Sequence, residues 1–393
     1  MAVLRLGAWG LLCLALAPLP LLAAPPPPAL APEAPAVRDA LALAARIDQL
    51  IEAAWKENGV KPAAPASDAE FLRRLHLDLA GRIPQVSDVH RFLRDPSPDK
   101  RLREVERLLG GPRYVEHFVH TWRMMLLPQT NNQFFQGFGP PLEVWLRKQF
   151  RANTPYDKLV RELVTFSLLQ QGQGIRPVPP PLESPMAFYQ ANEFKPENLA
   201  AATSRLFLGV KLECAQCHDH PFQKRLTRTQ FWEYAAFFSG IKPGQGGFSA
   251  TEQPERRSIK IGDTDKEVTA RFLGGKEPEW KDNLSTRQVL ADWMTRPDNP
   301  YFARNAANRM WAHFFGTGLI EPIDEPGDEN PPSHPELLDL LAREFAAHDF
   351  DLKFLIRAIT LSKAYGLSSA LTDPSQKDAR LFARMGIKGL TPE

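Results

Sequence analysis

Two of the three cysteines in this sequence stand together as Cys214-Ala215-Gln216-Cys217-His218, continued by Asp219-His220-Pro221-Phe222. Thiols at this spacing can each form a thioether with one vinyl group of a porphyrin. The imidazole that follows is placed to become the proximal iron ligand, which is the attachment pattern of haem c. The same atoms suit other chemistry. Cys214 and Cys217 can close a short disulfide in an oxidising compartment. With His218 and His220 they can also hold zinc, Asp219 standing behind them, or they can simply be small buried side chains. The third cysteine, Cys13, lies in a segment expected to be removed, so the mature chain spends its whole cysteine complement on this one stretch.

A haem here needs a ligand on its far face. His220 follows His218 too closely to cross the porphyrin, which leaves Met124, Met125, Met186, His117, His120 and His313 as candidates. Without one, the iron stays five-coordinate and open to small ligands or peroxide. Asp324, Glu325, Asp328, Glu329 and His334 can make another polar site or, punctuated by Pro322, Pro326, Pro331 and Pro332, a solvated loop. No phosphate-cradling glycine loop, Gly-x-Ser-x-Gly or His-Glu-x-x-His occurs.

The elements that must position these residues read as helices. Ala36–Asn58 is amphipathic and is stopped by Gly59, and Ser67 with Glu70 makes a capping-box start for a helix that ends at Ile83-Pro84. Short helices follow around 88–93, 99–109 and 113–127, then 142–151 and 157–169, separated by loops at 131–141 and 171–185. Helical spacing over 196–213 predicts a continuous helix running into the Cys-x-x-Cys-His stretch. A further helix starts near Thr227, with Gln230 completing a capping box. Between 257 and 272 two alternating runs flank Gly262-Asp263-Thr264-Asp265, a β-hairpin pattern. Helices return near 287–295, 302–315, 335–348 and 352–362. The fold class is therefore mainly α: helical blocks with a small hairpin insertion and long Pro/Gly-rich loops.

Length, charge and proline content agree with this. The chain has 393 residues, and its 48 basic and 46 acidic side chains leave no electrostatic footprint for nucleic acid. Its 37 prolines are about twice the usual share of roughly 5% and gather in connecting segments. At the N-terminus Arg5, the apolar run Leu11–Leu22 and Ala23-Ala24 form a secretory signal, too short and too interrupted for a membrane span. The expected organisation is a signal peptide over 1–24, a Pro/Ala linker over 25–35 and a helical unit with the haem-type motif over 36–241. A linker with the hairpin over 242–283 and a second helical unit over 284–393 complete it.

Three groups of motifs resemble one family. They are Arg74-Leu75-His76-Leu77-Asp78-Leu79-Ala80-Gly81-Arg82-Ile83-Pro84, then Phe207-Leu208-Gly209-Val210 leading into Cys214–Phe222, and Ala235-Ala236-Phe237-Phe238. Together they resemble the planctomycete cytochrome-c-like family of exported, uncharacterised proteins. Asn308-Arg309-Met310-Trp311-Ala312-His313-Phe314-Phe315-Gly316 and Asn330–Leu338 are similar to the companion domain that follows it. The resemblance spans about 40–390 and implies export to the periplasm or cell surface. Relatives carry a separate cytochrome c domain upstream and continue past residue 393, so it also implies an incomplete companion domain. It implies no reaction, and whether the chain is an enzyme stays open. Two functions are carried forward. One is an exported haem-c protein serving electron transfer with a redox partner protein, or supporting an oxidoreductase. The other is a non-haem binding module or a zinc-dependent hydrolase acting on extracellular polymer.

Overall fold

In the computed structural model the described residues are 34–127, 139–168, 182–220, 223–224, 226–244, 249–327 and 329–389. The signal segment, most of the Pro/Ala linker, most of the two expected loops and Pro221-Phe222 lie outside them. Fourteen α-helices and two small antiparallel pairs make up the described chain, so it is mainly α as expected.

The first helix, α1 (Pro35–Glu57), buries Val37, Ala40, Leu43, Ala44, Ile47, Ile51 and Trp55 along one stripe. α2 (Asp68–Ala80) is capped by Ser67, whose Oγ accepts from Glu70 N at 3.2 Å. Only half of the expected capping box forms. The Glu70 carboxylate accepts instead from Arg74 and from the backbone N–H of Ser369 at 2.7 Å, a partner almost three hundred residues away. Then come α3 (Val86–Arg94), α4 (Lys100–Leu109), α5 (Pro112–Leu126), α6 (Gly139–Arg151), α7 (Tyr156–Val164), α8 (Met186–Ala191) and α9 (Pro196–Thr203). α10 (Arg228–Ala235) opens with the full Thr227/Gln230 capping box.

The insertion holds two ribbons. β1 (Ile241–Pro243) pairs with β2 (Ala250–Glu252). β3 (Ser258–Lys260) pairs with β4 (Glu267–Thr269), with Ile259 opposite Val268, and this second pair is the hairpin read from the sequence. α11 (Thr286–Met294), α12 (Phe302–Phe315), α13 (Pro335–Ala347) and α14 (Leu352–Thr360) follow.

The two halves share one continuous hydrophobic core. α1 lies against α13 and α14, so the first helix is built into the C-terminal half. Two buried arginines fasten the halves. Arg357 on α14 donates to Glu106 on α4 through Nε at 2.6 Å and Nη2 at 3.0 Å, both side chains being 5% exposed or less. Arg287 on α11 donates to Glu252, to the Tyr189 hydroxyl at 2.8 Å and to the carbonyls of Val164 and Phe166 at 2.8 and 2.9 Å. These acceptors surround the guanidinium, which is the condition for burying it without a large penalty.

Candidate functional site

The expected helix over 196–213 does not run through to the motif. α9 stops at Thr203, a single wide turn covers Ser204–Leu208, and Gly209 reverses the chain at φ +68°. The break has a long-range cause. Asn305 on α12 donates Nδ2–H to the Leu206 carbonyl at 2.8 Å, and its Oδ1 would lie 2.7 Å from any Cβ at residue 209. Only glycine allows that approach and that backbone conformation together. The motif then begins on a short 3₁₀ turn, Leu212–Ala215, rather than at the end of a long helix.

The C-terminal half also holds the start of this loop. The Asp324 carbonyl accepts from Lys211 N at 3.0 Å, and Lys211 Nζ meets Glu325 at 2.8 Å. Asp324 pairs with Arg309, which also donates to the Arg205 carbonyl at 2.7 Å. Asp324 and Glu325 are therefore brackets for the motif loop rather than a separate polar site. On the other side, Trp232 Nε1 donates to the Gln216 carbonyl at 3.1 Å, and Asp219 Oδ1 accepts from Arg228 N at 2.8 Å.

Within this frame Cys214 is half-buried, while Cys217 and His218 are exposed, and both thiols are unbridged. Burial pushes the Cys214 thiol up, opposed by the Lys211 ammonium, so it stays protonated near neutrality. His218 Nδ1 lies 2.7 Å from the Asp219 carbonyl oxygen. Since that oxygen only accepts, Nδ1 carries the proton and Nε2 is the nitrogen left with a lone pair, the tautomer a metal-bound histidine uses. His220 is engaged differently. Its Nδ1 accepts from Gln223 N at 2.9 Å and shapes the return of the loop.

These donors fit haem attachment: two thiols and a histidine with its outer nitrogen available, on one loop reached from solvent. Among the described residues no three His, Cys, Asp or Glu side chains already converge as a metal site. Beside the loop lies a cleft of about 470 Å³ built by both halves, with Val210 and Leu226 from the motif's flanks and Tyr301, Arg304 and Ile323 from beyond the insertion. Sequence reading missed it, because its walls come from stretches a hundred residues apart.

The far-face candidates lie elsewhere, and none of them lines this cleft. His313 donates from Nε2 to the Asp78 carbonyl at 3.0 Å, and burial lowers it to about 4. His117 packs on it, ring centroids 5.8 Å apart. Met186 is buried, Met124 is exposed and His120 belongs to a separate concavity. His334 is buried against Phe382 and Glu329 is exposed; Asp328 lies outside the described residues.

Residues 46–243 match the family PSCyt2, described as a protein of unknown function (DUF1549). The chain belongs to this family. Residues 286–393 match PSD1, a second family of unknown function (DUF1553), in the order the motifs had indicated. No curated protein and no solved structure matches the chain. The Cys-x-x-Cys-His loop thus belongs to the PSCyt2 region, while Asn305, Arg309, Asp324 and Glu325, which bracket it, come from the PSD1 region.

Proposed function

We propose that this PSCyt2 protein is an exported haem-c carrier that exchanges electrons with a redox partner, Cys214 and Cys217 forming the thioethers and His218 the axial bond through Nε2. The observation that supports it most is the His218 Nδ1 contact to the Asp219 carbonyl at 2.7 Å, which fixes the tautomer and holds the ring before any iron arrives. A bound haem would supply a reversible one-electron iron couple. The chain's own contribution is to present the loop. Lys211, Glu325 and Trp232 fix its two sides, and the exposure of Cys217 and His218 keeps the position within reach of a partner protein. The N-terminal segment over 1–24 would direct export to the periplasm or cell surface. No helix among the described residues is long and apolar enough to cross a membrane, so a membrane-spanning helix finds no support there.

The test is expression of the full chain for export alongside a haem-attachment system. Absorbance and acid-acetone extraction should show haem that remains on the protein, and Cys214→Ser with Cys217→Ser should abolish it. His218→Ala should keep part of the attachment but change spin state and potential. A protein carrying no covalently bound haem would overturn the proposal.

A further inference from the structure

A haem held at the Cys214–His218 loop gains a second side-chain ligand only if a lone pair reaches the porphyrin face opposite His218. In electron-carrying cytochromes c the axial pair is drawn from histidine and methionine. The sequence has nine histidines and seven methionines. Met1 falls in the segment expected to be removed, and all the others stand among the described residues.

The fold commits the histidines elsewhere. His220 follows His218 too closely, and its Nδ1 accepts from Gln223 N. His76 Nε2 meets the buried Glu104 carboxylate at 3.0 Å. His348 donates to the Glu344 carbonyl at 2.8 Å and stacks on Phe354. His313 donates to the Asp78 carbonyl with His117 packed on its ring, and His334 is buried against Phe382. His120 keeps Nε2 buried on α5. Of the methionines, Met186, Met294, Met310 and Met385 are 7% exposed or less, and withdrawing any of them would leave a cavity in the core. Met125 packs on that core from its edge.

His90 on α3 and Met124 on α5 are exposed. Their helices stand away from the loop: α3 packs on α2, and α5 on α2, α4 and α6, whereas the 3₁₀ turn that opens the motif packs on α9 and α10. Lys211, beside Cys214, is held protonated by its bond to Glu325 and so offers no lone pair. Cys217 and His218 are themselves exposed, which leaves the site open to solutes.

We propose that His218 is the only axial side chain the chain gives to the iron, and that the position opposite it takes small exogenous ligands, carbon monoxide when reduced and cyanide when oxidised. This rests on haem attachment at the Cys-x-x-Cys-His loop and adds small-ligand binding to electron exchange. Binding is association alone: each ligand donates a lone pair, and no bond of the protein breaks.

Spectroscopy of the full chain, exported alongside a haem-attachment system and held at neutral pH, tests this without any turnover assay. Paramagnetic resonance and absorbance of the oxidised protein should show high-spin iron. Carbon monoxide should bind the reduced protein saturably, one per haem, and shift its main absorbance band. Dilution, His90→Ala and Met124→Ala should each leave the spin state unchanged. Low-spin iron in the wild type with no added ligand would overturn the proposal; its persistence on dilution would mark an internal ligand, its loss one from a second copy. Failure of the reduced protein to bind carbon monoxide would overturn it too. In these cases the covalent haem is present and the carrier reading stands. Absence of covalent haem would instead overturn that reading, and this inference with it.

Discussion

Gly209→Ala probes the joint on which the motif loop turns. Two costs can be separated. The left-handed backbone, φ +68°, costs an alanine roughly 1–2 kcal/mol. The new Cβ would also sit 2.7 Å from Asn305 Oδ1, so the amide must move. Moving it strains its donation to the Leu206 carbonyl at 2.8 Å and its acceptance from Arg309 Nε at 3.2 Å, bonds with a net worth of about 1 kcal/mol each. The expected loss is about 3 kcal/mol in chemical denaturation. A double-mutant cycle isolates the contact. In an Asn305→Ala background the amide is gone, and the remaining Cβ, 3.2 Å from the new methyl, needs to yield only slightly. Gly209→Ala should then cost about 1–2 kcal/mol less than in the wild type. If the two substitutions add within about 0.5 kcal/mol, the Asn305 contact does not set the break and the reasoning fails.

Other substitutions test the fastening of the halves and the acid behaviour. Glu106→Gln leaves the Arg357 guanidinium buried without its counter-charge and should cost about 3–5 kcal/mol, whereas Glu106→Met with Arg357→Met should recover most of that; denaturation midpoints decide. His334 is 6% exposed and burial lowers it from 6.5 to about 4, so the unfolded chain binds its proton first as pH falls. Its contribution is present above pH 6.5 and is lost between 6.5 and about 4, and His334→Asn should flatten that part of the stability profile by an amount on the order of 2–3 kcal/mol. Superimposable wild-type and variant profiles over that window would contradict this assignment.

Much of the local structure was legible because local chemistry decides it. The Thr227/Gln230 capping box, the stripe on α1 and the Ile259–Val268 ribbon follow from spacing and turn residues alone. Legibility stopped where a distant partner overrode the local pattern. Residues 196–213 keep helical spacing throughout, yet Asn305 closes on Leu206 and Gly209 and ends the helix early. Glu70 shows the same thing on a smaller scale, trading its place in a capping box for Ser368 and Ser369. The cysteines and His218 were found from spacing, but the Asp219 carbonyl that fixes the His218 tautomer carries no sequence signal, since any residue there has one.

This division explains why the motif loop depends on both family regions. The PSCyt2 region brings the thiols and the imidazole, but its own regular structure ends at Leu208 and resumes only on the short turn at Leu212. In the last turn before that gap and within it, backbone polar groups need partners, and the PSD1 region provides them. Asn305 and Arg309 take the carbonyls of Leu206 and Arg205, and Asp324 takes the Lys211 N–H. Each bond is modest alone, about 1 kcal/mol net, but a buried group left unpaired would cost more than the bond supplies. The loop is therefore ordered by asymmetry: leaving any of these groups unmet costs more than meeting it gains. A flexible Cys-x-x-Cys-His segment would lose thiols and imidazole to many orientations, whereas one pinned at 205, 206 and 211 and again at 216 presents them together. The packing of α1 into the C-terminal half through its apolar stripe, and the one core that runs through both regions, hold together the two regions that these bonds connect.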